Sequence, residues 1–305
     1  MPVACLADRG VVRVAGEDAK TFLDGLLTCD LDRVAPGRPR FGALLSPQGK
    51  ILFDFIVFAA ADGAFHLDCA LAQAPDLAKR LGFYKLRAKV TLEDLSATSV
   101  VLAGWGDSPK PSDTALAGDD PRLPALGWRA IASPPEGEAE SRSDRMRGVN
   151  ATSPATSALP PSPQPSPIKE EGEAEYHAHR IALGVPEGGK DFAFGDAFPH
   201  EALMDQLHGV DFDKGCYVGQ EVVSRMQHRG TARTRIVPLV YLDGVAAEPR
   251  ADITAGERSL GKTGSGADGR GLAMVRLDRV ADALAAGETI RAGGRPVRIE
   301  KPSWA

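Results

Sequence analysis

The sequence contains few cysteines, and they lie far apart. Four occur in 305 residues, at positions 5, 29, 69 and 216, so no C-x-x-C pair is present to bind zinc or an iron–sulfur cluster. No apolar stretch approaches the ~20 residues that span a bilayer, and the first residues lack the basic start and apolar run of a signal peptide. We therefore expect a cytoplasmic protein with free thiols, and no membrane among its partners.

An excess of positive charge is also absent, since 36 lysines and arginines face 41 acidic residues and the net charge is −5. DNA is therefore not an expected partner. RNA stays possible through a local arginine cluster at 225–235, although it is not favoured. No G-x-S-x-G element is present for a serine nucleophile, and Gly261–Gly266 lacks the spacing of a phosphate loop. The 43% hydrophobic content suffices for a sizeable core, and we expect a monomer.

The apolar spacing predicts an α+β protein with three domains. Residues 1–95 alternate strand and helix patterns, with a hairpin from 41–45 to 51–58. A second α+β unit covers 96–232, and 233–305 contains short strand patterns separated by glycine-rich turns, which are typical of a small β-barrel. Helices are also predicted at 18–27, 75–83 and 201–207, and a short helix is expected near 278–286 in the barrel domain.

Residues 136–175 fit none of these units. Six prolines lie within 153–167, and the segment has little apolar content from which to build a core. The five residues Glu-Gly-Glu-Ala-Glu occur at 136–140 and again at 171–175, which indicates an insertion that duplicated its target. We expect a disordered surface excursion here; two unrelated glutamate-rich turns are the alternative. His177 and His179 follow at strand spacing, without a third ligand for a metal site.

The segment 211–221, Asp-Phe-Asp-Lys-Gly-Cys-Tyr-Val-Gly-Gln-Glu, carries the most informative functional pattern. Apolar residues at 218, 222, 223 and 226 have helical spacing. Cys216 is therefore predicted at or just before a helix N-terminus, two residues from Lys214. Both features favour the thiolate form of a cysteine. A small buried cysteine at a helix start is the alternative interpretation.

Residues 214–221 resemble, over eight consecutive positions, the K-G-C-Y-x-G-Q-E signature of YgfZ-type folate-binding proteins, relatives of the glycine-cleavage T protein (aminomethyltransferase). Residues 22–30 (F-L-D-G-L-L-T-C-D) are similar to the family's F-L-x-G-x-x-T-N-D, with cysteine in place of asparagine. Residues 45–50 resemble its hairpin, and 180–186 resemble its R-I-x-x-G-I-P. The resemblance covers nearly the whole chain except about 136–175.

This resemblance implies two ferredoxin-like-type α+β units around a central folate cleft, followed by a small β-barrel. It implies tetrahydrofolate, or a one-carbon derivative, as the cofactor. It also implies a role in assembly or repair of iron–sulfur clusters, with client enzymes or assembly proteins as partners. Cys216 would act as a thiolate beside the folate, supported by Lys214. Further folate-binding candidates are Tyr217, Gly219, Gln220 and Glu221 of the motif, together with Arg225 of the basic cluster that follows it.

Asp54 lies in the second hairpin strand and resembles the aspartate with which the T protein contacts folate. A carboxylate suits a pterin because it accepts two N–H donors from the 2-amino pyrimidine edge. A solvent-facing strand residue is the alternative for Asp54. Glu201 is a second candidate carboxylate for folate, or else a cap for the predicted helix 201–207.

Residues 84–89 alternate aromatic or apolar with basic side chains, so Lys85, Arg87 and Lys89 would share one face of a strand. Such a face could bind the glutamate carboxylates of folate, with Arg87 as the candidate, or could be a solvated surface.

The T protein has glutamate where this chain has Ala182, and usually D-F-I-G where this chain has 216–219. These departures weaken the case for aminomethyl transfer, so whether the chain is an enzyme is left undecided. A folate-dependent aminomethyltransferase and a folate-dependent tRNA-modification factor remain the alternatives to an iron–sulfur assembly factor.

Overall fold

The computed structural model describes residues 1–111, 116–133, 167–230, 232–302 and 304, with 167–171 and 229 described by their backbone alone. Its strands are β1 (Val3–Leu6), β2 (Arg9–Ala15), β3 (Arg40–Leu45), β4 (Ile51–Ala59), β5 (Phe65–Ala70), β6 (Thr91–Asp94), β7 (Val100–Gly104), β8 (Leu116–Asp119), β9 (Trp128–Ala132), β10 (Thr234–Tyr241), β11 (Asp252–Ala255), β12 (Arg258–Ala267), β13 (Arg270–Arg276), β14 (Ile290–Ala292) and β15 (Arg295–Ile299). Its α-helices are α1 (Ala19–Asp24), α2 (Ala74–Tyr84), α3 (Pro167–Ala182), α4 (Gln220–Arg229) and α5 (Leu277–Ala285).

The strands form three sheets in which neighbouring strands run antiparallel. The first has the order β3-β4-β5-β2-β6, the second the order β1-β7-β9-β8, and the third closes into a barrel of six strands, β10-β13-β12-β11-β14-β15. The predicted α+β class with a C-terminal β-barrel is therefore confirmed. Because β1 crosses to pair with β7, the first few residues tie the second sheet to the first.

The strand β4 is central to the first sheet and is apolar at nearly every position. Successive side chains on a strand point to opposite faces, so Phe55 and Val57 pack with α1 and α2, whereas Ile56 and Phe58 pack towards the second sheet. Asp54 has the same parity as Ile56. This parity directs the one carboxylate of β4 into the space between the two sheets.

The second sheet is covered by α3, which packs on β1. Tyr176 and Ile181 of this helix are buried in the same core as Val101 and Ile131 of the sheet. The barrel has its own core, and α5 contributes Val280 and Ala283 to it.

Two predicted elements, at 84–89 and at 201–207, do not form in the structure. Residues 84–89 are not a strand, because α2 continues to Tyr84 and a turn follows with Leu86 at a φ of 41°. The predicted helix 201–207 is instead a series of turns, in which Leu203 and His208 have φ values of 61° and 58°. Such left-handed residues cannot continue an α-helix.

The predictions around the insertion are corrected at its C-terminal end. Residues 136–166 lie outside the described part of the chain, but α3 begins at Pro167 and contains the second repeat copy, 171–175. Proline is favoured in the first turn of a helix, where its missing N–H has no partner to lose. Glu173 accepts a hydrogen bond from the backbone N–H of Ala7 at 3.2 Å. His177 and His179 therefore lie on a helix rather than on a strand.

Candidate functional site

A cluster of charged side chains is buried between the two α+β sheets. All of its members are at least nine-tenths buried, and we call it the ionic centre. It consists of Arg9, Asp54, Asp68, Asp120, Arg122, Arg129, Arg180, Glu187 and Asp191. The sequence motifs did not reveal it as a unit, because its members come from seven separate segments of the chain.

Most of these charges are paired with each other. Asp68 accepts from Arg9 at 2.7 Å and from Arg129 at 3.2 Å, and Asp120 is paired with Arg122 at 2.7 Å. The hydroxyl of Tyr176 accepts from Arg122 at 2.9 Å and from Arg129. Buried charges are tolerated only when they are paired in this way.

Arg180 is fully buried and holds the other two carboxylates. Its guanidinium lies 2.7 Å from Asp191 and 3.2 Å from Glu187, and it also donates to the hydroxyl of Ser265 in the barrel at 2.8 Å. Burial alone would raise the pKa of Glu187, but Arg180, Arg9 and Lys190 outweigh it and lower this pKa to about 2. The arginine of the R-I-x-x-G segment is thus a structural cation that joins α3 to the barrel.

Asp54 is the exception in the ionic centre. Its Oδ2 accepts the backbone N–H of Gly188 at 3.2 Å, while its Oδ1 is buried and has no hydrogen-bond partner among the described residues. Four arginines face five carboxylates in the centre, and the four carboxylates other than Asp54 each form an ion pair with an arginine. Burial raises the pKa of Asp54, against the attraction of Arg9. The alternative of a solvent-facing strand residue is therefore wrong.

The segment after Glu187 covers Asp54. A Cβ atom added at Gly188 would lie 2.7 Å from the Asp54 Oδ1 and 2.6 Å from the ring of Phe194. Only glycine allows the backbone to approach the carboxylate this closely. Because Gly195 donates to the carbonyl of Ile51 at 2.7 Å, this segment is fixed to the start of β4.

The predicted thiol site adopts a different geometry from the one expected. The helix after Cys216 begins only at Gln220, and Gly219 precedes it with a φ of 82°. Cys216 therefore lies four residues before the helix in irregular structure, and it is exposed. A Cβ atom at Gly219 would lie 2.6 Å from the carbonyl oxygen of Ser46, so this glycine lets the motif pack against the hairpin turn of β3 and β4.

Lys214 directs its ammonium group away from solvent and into a cage of oxygens. Its Nζ donates to the carbonyls of Asp24, Leu27 and Cys29 at 2.7, 2.9 and 3.0 Å, and to the Asp24 carboxylate at 3.1 Å. Its side chain is 2% exposed. These contacts assign Lys214 to anchoring the 211–216 segment on the end of α1, and they do not include the Cys216 sulfur.

The remaining motif residues lie just before α4 or on it, and each has its own surroundings. Tyr217 is buried in the core, and burial together with Asp211 raises its pKa to about 12. Gln220 is the first residue of α4. Glu221 and Arg225 form an ion pair of 2.6 Å on the exposed side of α4, one turn apart.

The two remaining folate candidates from the sequence are Arg87 and Glu201. Arg87 is exposed in the turn after α2 rather than on a strand face with Lys85 and Lys89. Glu201 accepts the N–H of Phe198 at 2.9 Å, which is the contact of a local cap, and burial raises the pKa of Glu201.

A surface cleft of about 270 Å³ adjoins the 211–216 segment. Its lining is mostly charged and comes from Cys29, Asp30, Arg33, Arg40, Asp205, His208, Val210, Asp211, Phe212 and Asp213. Burial raises the pKa of Cys29 to about 12 and also raises that of Cys69. The Cys29 and Cys69 thiols are therefore kept protonated. Both are buried, whereas Cys216 is exposed.

Asp8, Glu173 and His177 bring three potential metal ligands together within 4.8 Å. The ammonium of Lys190 lies 2.7 Å from His177 Nε2 and also contacts Asp8. A lysine therefore already supplies the positive charge at this position.

Within the described ranges, no helix is both long and apolar enough to cross a bilayer.

Comparisons with known proteins relate the chain to two families of domains. Residues 6–115 match the GCVT N-terminal domain, and residues 233–305 match the C-terminal β-barrel domain of CAF17. The glycine cleavage system aminomethyltransferase T from Bartonella henselae has a similar structure, with a TM-score of 0.69 at 16% identity, covering 99% of this chain and 86% of that protein. At this identity the likeness shows a common fold alone.

Closer relatives are iron–sulfur cluster assembly factors of the IBA57 type. The human protein is 30% identical over 304 residues, covering 90% of this chain and 77% of the relative. A homologue from Mycosarcoma maydis is 34% identical over 257 residues, and one from Neurospora crassa is 31% identical over 268. The match spans only 58% and 55% of these two fungal proteins.

These relatives bear on two predictions. All three are named as mitochondrial proteins, so the expectation of a cytoplasmic location is wrong. Their names relate the chain to iron–sulfur cluster assembly factors, while the YgfZ type itself stays a prediction.

Proposed function

The chain belongs to the IBA57 family of iron–sulfur cluster assembly factors, and we propose that it binds tetrahydrofolate at Asp54 and supports cluster assembly or repair in client proteins. The observation that carries the folate site is the buried Oδ1 of Asp54, an acceptor without a hydrogen-bond partner among the described residues. A buried acceptor without a donor is costly unless a ligand supplies one.

A pterin fits this requirement chemically. Its 2-amino pyrimidine edge offers adjacent N–H donors, and a carboxylate accepts two such donors in a paired arrangement. When bound, tetrahydrofolate supplies a carrier for one-carbon units. Arg9 and Arg122 favour the ionised form of Asp54, although burial outweighs them and raises its pKa. The backbone N–H of Gly188 holds the carboxylate in position.

Cys216 is the proposed thiol of the assembly function. Its exposure leaves the sulfur accessible to a partner protein, whereas the carbonyl cage of Lys214 fixes the backbone two residues away. The reacting group is therefore carried on an anchored but open segment. Ala182 occupies the position of the T-protein glutamate, so aminomethyl transfer is not the favoured reaction.

The folate site is tested by Asp54→Asn, which keeps the side-chain size and removes the charge. Tetrahydrofolate affinity should fall by on the order of 1–3 kcal/mol, because a charged hydrogen bond is lost. Isothermal titration calorimetry measures this, with the exposed Asp252→Asn as the matched control. Equal affinity of the wild type and Asp54→Asn would show that Asp54 does not hold folate.

The pKa shift of Asp54 also predicts how the stability of the Asp54→Asn variant depends on pH. The raised pKa of Asp54 means that the fold prefers the neutral carboxyl, so ionisation costs stability as the pH rises above the ordinary aspartate pKa of about 3.9. Asp54→Asn avoids this cost. Without folate, it should melt at or above the wild-type temperature at pH 7, and this advantage should disappear in acid below the ordinary aspartate pKa.

A further inference from the structure

The outer side of α2 and the turn after it expose large apolar side chains. Leu77 and Leu81 face the core, so Phe83 lies on the opposite side of the helix and is 65% exposed. Leu86 follows in the turn at a φ of 41° and is 91% exposed. A leucine in this left-handed conformation is uncommon, and here the turn projects its side chain into solvent.

Four cations flank these two apolar residues. Each is exposed, and none forms an ion pair with a carboxylate among the described residues. They are Lys79, Arg80, Lys85 and Arg87, and together with Phe83 and Leu86 we call them the 79–87 surface. By contrast, Lys89 just beyond it is paired with Glu17 at 2.8 Å. Asp76, in the first turn of α2, is the acidic residue closest to this surface along the helix.

The unpaired charges define what the surface would bind. The chain as a whole carries a net charge of −5, so four uncompensated cations within nine residues form a local positive field that attracts an anionic surface. The apolar pair protrudes from a helix end and a turn. A bilayer accepts such protruding side chains without a preformed pocket, whereas a protein partner needs a matching cavity.

We propose that the 79–87 surface binds the face of an anionic lipid bilayer, with Phe83 and Leu86 entering the headgroup region. The cations contribute by contact with lipid phosphates, each strengthening binding roughly fivefold near the membrane. The contact is peripheral and independent of the folate site. Arg87, the folate candidate of the sequence, thereby acquires a different anionic partner, a lipid phosphate.

The test is flotation of the full-length protein with vesicles of two compositions. Vesicles of phosphatidylcholine and phosphatidylglycerol in equal parts should bind at least ~10-fold more protein than vesicles of phosphatidylcholine alone, and added salt should reduce the difference. Equal binding to both compositions, or no binding to either, would overturn the proposal. An acidic protein would then be the better occupant.

Variants separate the two components of the surface. Replacing the four cations by glutamine should abolish the preference for anionic vesicles, and Phe83→Ser with Leu86→Gly should lower binding roughly 10-fold or more. The matched control is Leu242→Ser with Val245→Ser, an exposed apolar pair on the barrel, which should bind like the wild type. Full binding by the glutamine variant would contradict the proposal.

Discussion

The ionic centre and the 211–216 segment are built on opposite principles. In the ionic centre, nine charged side chains are buried, and the eight other than Asp54 form ion pairs with one another. In the 211–216 segment, the backbone is held by the buried ammonium of Lys214, and the cysteine itself is exposed. The ionic centre surrounds the Asp54 carboxylate with buried charges. The 211–216 segment fixes its own backbone through Lys214 and leaves the Cys216 thiol exposed to solvent.

This difference suits the two regions to different tasks, ligand binding in the ionic centre and contact with another protein at Cys216. A buried site with a single open acceptor can select a small ligand by its donor pattern, because a ligand without matching donors leaves the carboxylate unpaired. An exposed thiol selects nothing by itself, but it can be reached by another protein. The two regions therefore suit the two halves of the proposed function, folate binding and work on a client's cluster.

The largest expected effect is in the ionic centre. Arg180→Met removes a fully buried cation, so that Asp191 loses its ion-pair partner and Glu187 keeps Arg9 and Lys190; this should destabilise the fold by about 3–5 kcal/mol. Urea unfolding measures the change. The control is Arg225→Met, which breaks the exposed pair with Glu221 and should cost about 0–1 kcal/mol. Similar losses for the two variants would contradict the contrast between the regions.

Removing the anchor of the 211–216 segment should have an intermediate effect. Lys214→Met leaves three backbone carbonyls near α1 without their donor, at an expected cost of roughly 1–3 kcal/mol. The alkylation rate of Cys216 should change little, since the ammonium contacts Asp24, Leu27 and Cys29 instead of the sulfur. Cys5, Cys29 and Cys69 are replaced first so that one thiol is followed. A large fall in alkylation rate with unchanged stability would restore the role that the sequence suggested.

A smaller structural effect is expected at the thiol. Cys216→Ser should change the free energy of unfolding by less than about 0.5 kcal/mol, because the residue is exposed. It should bind tetrahydrofolate like the wild type but fail to restore iron–sulfur enzyme activity in a deletion strain. Cys5→Ser is the control and should complement. Full complementation by Cys216→Ser would remove the thiol from the proposed function.

The smallest effect is expected from the insertion. Deleting residues 136–170 removes one repeat copy and keeps Glu171–Glu175, so Glu173 retains its contact with the N–H of Ala7. Melting temperature and folate affinity should stay nearly unchanged, since surface excursions cost little. A drop of many degrees on deletion would show that the segment packs on the domain, and Glu173→Gln would then measure how much of the loss comes from this one contact.

Sequence reasoning succeeded where a local pattern decides the structure. The hairpin of β3 and β4, the helices α1 and α2, and the presence of a C-terminal β-barrel follow from apolar periodicity and turn residues. The six-strand closure of the barrel was seen only in the structure. Sequence reasoning failed at 84–89 and 201–207, because strand-like alternation and helix-like composition were overridden by the continuation of α2 and by left-handed residues at 86, 203 and 208. The same local reasoning predicted that Lys214 stabilises the Cys216 thiolate, because the two residues are close in sequence. In the structure, the Lys214 ammonium contacts backbone carbonyls instead.

The sequence by itself determined the α+β and barrel architecture and the choice of Asp54 and Cys216 as candidates, whereas the family it indicated, the YgfZ type, is only related to the IBA57 family of the relatives. Only the tertiary structure decided where these candidates lie and which groups surround them. Which cation meets which carboxylate depends on contacts between segments up to 178 residues apart, as between Arg9 and Glu187. Long-range pairing of this kind has no trace in local periodicity, because the energy of a buried charge depends on its neighbours in space.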